Sequence, residues 1–133
     1  MRIGDDTSGK NFNRTRKMGV NSLAFRMPQH NTFYLCDADC VGITDAIAWQ
    51  DNKMWLRLIA MSGTPLFISC DAMQLNDEQR SDIQRSINQA LNHQYDIRPQ
   101  HWESSRYPEE WASTTEYALF DWYRVPRTLP LLN

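Results

Sequence analysis

Three short apolar segments that each run into aspartates constrain the fold of this chain more than any other feature. The segments are residues 1–4, 32–36 and 65–70, and the acids that follow them are Asp5 and Asp6, Asp37 and Asp39, and Asp71. Segments of this length and apolar content are typical of buried strands in a parallel sheet. Because the carboxyl ends of parallel strands meet at one edge, we expect these acids to lie together there. Adjacent acids after a glycine are also common in ordinary turns.

Helices are predicted between these segments. The first has apolar residues at i, i+3, i+4 and i+7, which indicates an amphipathic helix of about 14 residues that ends at Pro28. Its apolar positions are Val20, Leu23, Ala24 and Met27. The second is predicted from a cap at Thr44 to Met61, and Gly63 can adopt the left-handed conformation that ends a helix.

The third helix and the segment after it have different compositions. A capping box formed by Asn76 and Gln79 predicts the start of the helix, which we expect to end near His93. Its predicted buried stripe comprises Ile83, Ile87, Ala90 and Leu91. The tail that follows is rich in aromatic residues, and alternation over residues 117–123 predicts an antiparallel strand.

The order of elements is three strand–helix pairs followed by the aromatic tail, which predicts the α/β class. Three pairs are too few to close a barrel of eight, which takes about 200 residues or more. Since the first strand begins at Met1, we expect residues 1–96 to form the last three βα units of a TIM (β/α)8 barrel. Residues 97–133 are expected to be a linker and the start of a C-terminal β-sandwich-like segment.

Charge and hydropathy argue against several classes of partner. The net charge is −2 and no basic patch is evident, so we expect no nucleic acid partner. No apolar stretch approaches the roughly 20 residues of a membrane helix, so we expect no membrane contact. Acids directly after the start, without an apolar core of about 7 to 15 residues, argue against a secretory signal, and the localisation stays open.

Cysteine and histidine residues do not predict a metal or cofactor site. The cysteines are Cys36, Cys40 and Cys70, and the histidines are His30, His93 and His101. Three thiols cannot all pair, so we expect them to be reduced and buried. Two thiols flank Asp37 and Asp39, but adjacent acids in this run alternate faces and no histidine is near, so we expect no metal. The histidines are predicted to lie at the surface.

Four segments carry motifs in a fixed order. Residues 1–7 place an arginine four positions before an aspartate, residues 36–41 read Cys-Asp-Ala-Asp-Cys-Val, residues 62–71 begin Ser-Gly-Thr-Pro and end Ser-Cys-Asp, and residues 99–122 combine Pro, Trp and Phe-Asp-Trp. In this order they resemble the motifs of strands six, seven and eight, and the linker into the C-terminal β-sandwich, of α-galactosidase (melibiase) type glycoside hydrolases, the barrel enzymes of families 27 and 36. The family has Asn and Pro where this chain has Cys36 and Ala38.

The resemblance implies hydrolysis of an α-galactoside or a related α-glycoside with retention of configuration, by two carboxylates about 5 Å apart. Asp6 lies at the offset of the family's acid and is therefore the implied catalytic acid/base. Arg2 would bind a sugar hydroxyl or balance the charge near that carboxylate. Asp37 and Asp39 would lie at the mouth of the barrel as structural or sugar-contacting acids.

The family's nucleophile lies on strand four in a Lys-x-Asp type motif, and no residue of this chain matches it. We therefore expect a glycoside hydrolase fragment that is inactive alone, because the covalent step has no substitute. Its expected partners are a carbohydrate and a missing N-terminal barrel half. The alternatives are a non-catalytic carbohydrate-binding module and a barrel-completing interaction protein with exposed apolar faces.

Overall fold

The computed structural model describes residues 1–7, 9–92 and 97–123 of the 133-residue chain. In chain order the helical elements are α1 (Phe12–Arg14), a π-helical turn (Thr15–Val20), α2 (Asn21–Arg26), a 3-10 turn (Met27–Gln29), α3 (Trp49–Ser62), a second 3-10 turn (Ala72–Gln74) and α4 (Asp77–Asn92). The strands are β1 (Cys40–Gly42), β2 (Phe67–Ser69), β3 (Arg98–Pro99), β4 (Glu110–Ala112) and β5 (Tyr117–Leu119). The predicted helix end near His93 and the terminal residues 124–133 lie outside the described residues.

The first predicted helix is confirmed as a continuous helical segment from α1 to the first 3-10 turn. The side chain of Asn11 caps it by accepting hydrogen bonds from the backbone N–H groups of Asn13 and Arg14, at 2.8 and 3.3 Å. The four apolar positions of the predicted stripe, Val20, Leu23, Ala24 and Met27, are all buried. Pro28 lies in the closing 3-10 turn, where the segment ends as predicted.

α3 begins later than the sequence predicts. Thr44 is not its cap, since its hydroxyl accepts a hydrogen bond from the N–H of Ala46 at 3.1 Å and donates to the carbonyl of Gly9. The C-terminal prediction is confirmed: Gly63 has a φ of 78°, the left-handed conformation that glycine adopts without a Cβ clash. Most residues of α3 are buried, and the helix packs against α4.

α4 shows the predicted capping box. The N–H of Gln79 donates to Asn76 Oδ1 at 2.8 Å, and the N–H of Asn76 donates to Gln79 Oε1 at 2.9 Å. The predicted apolar stripe is only partly covered, because Leu91 is 68% exposed and Ile83 and Ile87 are half-buried.

The expected three βα units of a TIM barrel are wrong. Only β1 and β2 form a parallel pair of strands in the described residues, with Val41 opposite Ile68, and each has three residues. The first segment contributes a single parallel bridge, between Arg2 and Asp37. The remaining described strands form an antiparallel sheet in the order β3-β4-β5.

Residues 32–36 explain the difference, because they form a turn and not the predicted buried strand. Gln29 accepts the backbone N–H groups of Thr32 and Phe33, both at 3.1 Å, and Asn31 has a left-handed φ of 62°. Phe33 and Leu35 consequently face outward, at 79% and 58% exposed, while Cys36 is buried. The second strand forms only after Asp39, at Cys40.

The aromatic tail completes the core. As predicted, an antiparallel strand forms at β5, and the alternation continues so that Ala118, Phe120 and Trp122 are buried. The indole N–H groups of Trp111 and Trp122 both donate to the carbonyl of Pro108, at 2.8 and 2.9 Å. These side chains belong to the same core cluster as Leu56, Leu58 and Ile59 of α3. The division at residue 96 stays a prediction.

The cysteines differ in exposure. Cys36 is buried, Cys40 is half-buried and Cys70 is exposed, and none forms a disulfide. The expectation of buried thiols is therefore wrong for Cys70. No helix among the described residues is long and apolar enough to cross a bilayer.

Candidate functional site

The structure brings Arg2, Asp6, Asp37 and Asp39 together, and we call these four residues the Arg2 cluster. The same Arg2 nitrogen, Nη2, forms ion pairs with Asp6 Oδ1 and, at 2.9 Å, with Asp39 Oδ1. The backbone places them there: the N–H of Asp37 donates to the carbonyl of Met1 at 2.8 Å, and the N–H of Ile3 donates to the carbonyl of Asp37 at 3.0 Å. This single parallel bridge sets the N-terminal segment beside the residues that precede β1.

Asp39 is the fixed member of the cluster. Its Oδ2 accepts hydrogen bonds from the N–H and the hydroxyl of Thr7, at 2.7 and 3.1 Å. Its own N–H donates to Asp37 Oδ1 at 2.9 Å. A left-handed φ of 72°, which aspartate tolerates better than most residues, turns the chain at Asp39 before β1 begins.

The hydrogen bonds determine the charge state of Asp39. Burial alone would raise the pKa of this carboxyl, but the two hydrogen bonds from Thr7 and the positive charge of Arg2 lower it below its usual value. The hydrogen bond to Asp6 raises the pKa of Arg2. Asp39 is thus an ionised counter-ion that holds the guanidinium in place.

Asp6 is the open member of the cluster. Its side chain is 67% exposed, and in the described residues its carboxylate has one partner, Arg2. Its neighbour Asp5 is 65% exposed but pairs with Arg14 Nη2 at 2.6 Å. A hydrogen bond from the N–H of Asp6, together with Arg14, lowers the pKa of Asp5. Asp6 therefore has acceptor capacity left for a ligand hydroxyl.

Asp71 does not join the cluster. Its side chain caps the second 3-10 turn by accepting the N–H of Met73 at 3.0 Å. In the part of the chain that the structure describes, no hydrogen bond or ion pair connects Asp71 to the Arg2 cluster. The expectation that all the acids share one edge is therefore wrong for this residue.

The prediction that the histidines lie at the surface is wrong for His30, and no prediction covered the buried Asp82. His30 is buried, with Nδ1 accepting the N–H of Cys36 at 3.0 Å and Nε2 lying 3.2 Å from the carbonyl of Gly63. Asp82, on α4, is buried against Lys53 and Arg85 at 3.0 Å each. The spacing from Asp82 to Arg85 was the available signal, since residues i and i+3 are neighbours on a helix.

No group of His, Cys, Asp and Glu side chains suited to a metal ion occurs among residues 1–7, 9–92 and 97–123. The Arg2 cluster instead offers one guanidinium and an exposed carboxylate, which suits polar, hydroxyl-bearing ligands.

The chain was compared with family models, curated proteins and solved structures, and none of them matches it.

Proposed function

We propose that this chain binds a terminal α-linked sugar of the α-galactoside type at the Arg2 cluster, as part of a retaining glycoside hydrolase. The observation that supports this best is the exposed Asp6 carboxylate, which pairs with Arg2. Arg2 also pairs with Asp39, and Thr7 holds Asp39 in place by hydrogen bonding. A carboxylate beside a guanidinium provides the acceptor and the donors that a pair of sugar hydroxyls requires.

In this proposal Asp6 is the acid/base. In its protonated form Asp6 gives a proton to the leaving glycosidic oxygen while a carboxylate from another segment bonds to the anomeric carbon, and the Asp6 carboxylate then removes a proton from the water that breaks that bond. Arg2 stabilises the carboxylate that forms after the first transfer, and Asp39 positions Arg2. The nucleophile has to come from another polypeptide segment, so the chain alone binds the sugar without hydrolysing it.

The binding step is tested by titrating the ¹⁵N-labelled chain with methyl α-galactoside and following its amide resonances. We expect Asp6→Asn to weaken binding about tenfold, because it removes the charge from one hydrogen bond to the sugar. Asp5→Asn is the matched control, since Asp5 is equally exposed but pairs with Arg14. Equal effects of the two variants, or no saturable binding, would contradict the proposal.

The catalytic part is tested with an aryl α-galactoside. We expect no turnover by the purified chain. Turnover that disappears in Asp6→Asn would show that the chain holds its own nucleophile and would overturn that part of the proposal.

Association with another polypeptide is the second candidate function, and an exposed apolar groove favours it. The groove has a volume of about 650 Å³ and is lined by Leu35, Leu66, Ile68 and Leu91, two of which are largely exposed. We propose the polypeptide that carries the nucleophile as the occupant, because the same reaction requires both. A chain that stays monomeric in sedimentation at high concentration, with no self-association through this groove, would contradict this candidate.

A further inference from the structure

A second cavity, of about 340 Å³, lies between α3 and α4. Three basic side chains and one buried carboxylate line it. Lys53 and Arg57 lie one helical turn apart on α3, and Arg85 faces them from α4. The other lining residues are Asp82, Ser86 and Gln89. We call these six residues the helix cleft.

Asp82 organises the basic side chains of the helix cleft. Its Oδ2 accepts hydrogen bonds from Trp49 Nε1 at 2.9 Å and Lys53 Nζ at 3.0 Å, and its Oδ1 accepts from Arg85 Nη1 at 3.0 Å. Both oxygens are therefore occupied. Lys53 and Arg85 each keep further N–H donors, because an ammonium has three and a guanidinium has five.

Arg57 carries a positive charge that forms no ion pair with a carboxylate of the described residues. Its guanidinium lies 5.5 Å from the centre of the Phe120 ring, and among the described residues it has no hydrogen bond or ion pair. Three basic groups against one carboxylate leave the cleft with two excess positive charges, although the whole chain has a net charge of −2.

This chemistry is complementary to a doubly charged oxyanion. Guanidinium groups match the oxygen geometry of phosphate in pairs of hydrogen bonds, and lysine adds a point charge. The Ser86 hydroxyl and the Gln89 amide add neutral donors. The volume is at the small end of the roughly 300–1,000 Å³ of ligand pockets, enough for a phosphoryl group with a small organic substituent.

We propose that the helix cleft binds a phosphoryl dianion, either as free phosphate or on a small phosphomonoester. Lys53, Arg57 and Arg85 contact its oxygens, and Asp82 holds two of these three in place. The helix cleft shares no residue with the Arg2 cluster, so this inference does not depend on the proposed glycosidase role.

The test is an NMR titration of the ¹⁵N-labelled full chain with inorganic phosphate and, separately, with glycerol 3-phosphate at constant ionic strength. The indole N–H of Trp49 is the local probe because it donates to Asp82, and a Trp49→Phe sample assigns its resonance. We expect a saturable shift of this resonance. Tighter binding of glycerol 3-phosphate identifies a phosphomonoester site, and equal affinity identifies a free-phosphate site.

Arg57→Gln and Arg106→Gln form the matched pair of variants. Both remove one positive charge from an exposed arginine, but only Arg57 lines the helix cleft. We expect Arg57→Gln to weaken phosphate binding about tenfold, the effect of losing a charge-assisted hydrogen bond. Arg106→Gln should change it by less than about twofold, because only screened long-range attraction is lost.

If Arg57→Gln does not fold, Arg85→Gln serves as the second variant, since its side chain is 65% exposed. An unsaturable Trp49 shift would overturn the proposal. The proposal would also be overturned if Arg57→Gln and Arg106→Gln weakened phosphate binding equally, because the loss would then come from the change in net charge and not from the helix cleft.

Discussion

At the scale of single residues, Asp82 illustrates how a buried carboxylate is kept ionised. Burial raises the pKa of this group, but the hydrogen bonds from Trp49 and Lys53, with the charges of Lys53 and Arg85, outweigh burial and lower the pKa below its usual value. The same balance holds at Asp39, with Thr7 as the donor. In both places neighbouring donors, and not exposure to water, stabilise the charge.

Replacing Asp82 should reveal this contribution to stability. We expect Asp82→Asn to lower the free energy of unfolding by about 2 kcal/mol at neutral pH, because it leaves polar partners of a buried group poorly satisfied. The folded-state pKa is below the unfolded-state pKa, so the native advantage is complete above the unfolded value and is lost as pH falls through the folded value. The difference between native chain and variant should therefore shrink in acid.

Urea unfolding at about pH 7 and about pH 3 measures this difference. Asp45→Asn is the control, since Asp45 is exposed and forms no ion pair in the described part of the chain. A variant whose stability deficit stays constant across this range would contradict the assignment of the effect to the charge of Asp82.

The composition of the Arg2 cluster could be predicted in part. The spacing of Arg2 and Asp6 was visible in the sequence, and the two side chains do pair. The position of Asp39 depends on Thr7, 32 residues away, and on a left-handed turn, and no local pattern contains that information. Their roles toward a sugar stay predictions.

At the scale of elements, the π-helical turn lies unusually close to α3. A Cβ at Gly19 would lie 2.8 Å from two carbons of the Trp55 ring, closer than packed atoms tolerate. The glycine therefore permits the contact between this turn and α3. Trp55 also donates to the carbonyl of Cys40 at 3.4 Å, which connects the helix to β1.

We expect Gly19→Ala to destabilise the chain by about 1–3 kcal/mol through overpacking. This is opposite in sign to helix propensity, which favours alanine by about 1 kcal/mol. Chemical denaturation measures the effect, and Lys17→Ala, at an exposed position of the same turn, should change stability by less than about 0.5 kcal/mol. A more stable Gly19→Ala chain would show that Trp55 can move aside at no cost.

Two helix ends were predictable because their signals are local, whereas the predicted cap at Thr44 is wrong. The capping box at Asn76 and the glycine at position 63 each need only a few neighbouring residues, and both are confirmed. The run at residues 32–36 was predicted wrongly because strand-forming residues specify a strand only where a partner strand pairs with them. Here the N–H groups of Thr32 and Phe33 donate to the Gln29 carbonyl, and the N–H of Cys36 donates to His30 Nδ1.

At the scale of the whole molecule, one carbonyl joins the two ends of the aromatic tail to each other. Pro108 is buried, and its oxygen accepts from both Trp111 and Trp122. The Trp122 ring also stacks on Phe120, with 5.1 Å between the ring centres. These contacts hold residues 108–122 together, and Arg16 Nη1 donates to the Trp122 carbonyl at 2.8 Å, which connects them to the first helical segment.

This arrangement predicts non-additive substitutions. Trp111→Phe and Trp122→Phe each leave the Pro108 oxygen with one donor, whereas the double variant leaves a buried acceptor with none. We expect the double variant to lose about 1–3 kcal/mol more than the sum of the single losses. A double-mutant cycle from urea unfolding gives this coupling energy, and strict additivity would contradict it.

The graded exposure of the three thiols has a practical consequence. Burial raises the pKa of Cys36 and, together with the negative charge of Asp39, the pKa of Cys40, so both are poor nucleophiles at neutral pH. Cys70 stands in solvent directly after β2. A maleimide dye would therefore react first with the Cys70 thiol. The native chain can thus be labelled at one site without an engineered cysteine.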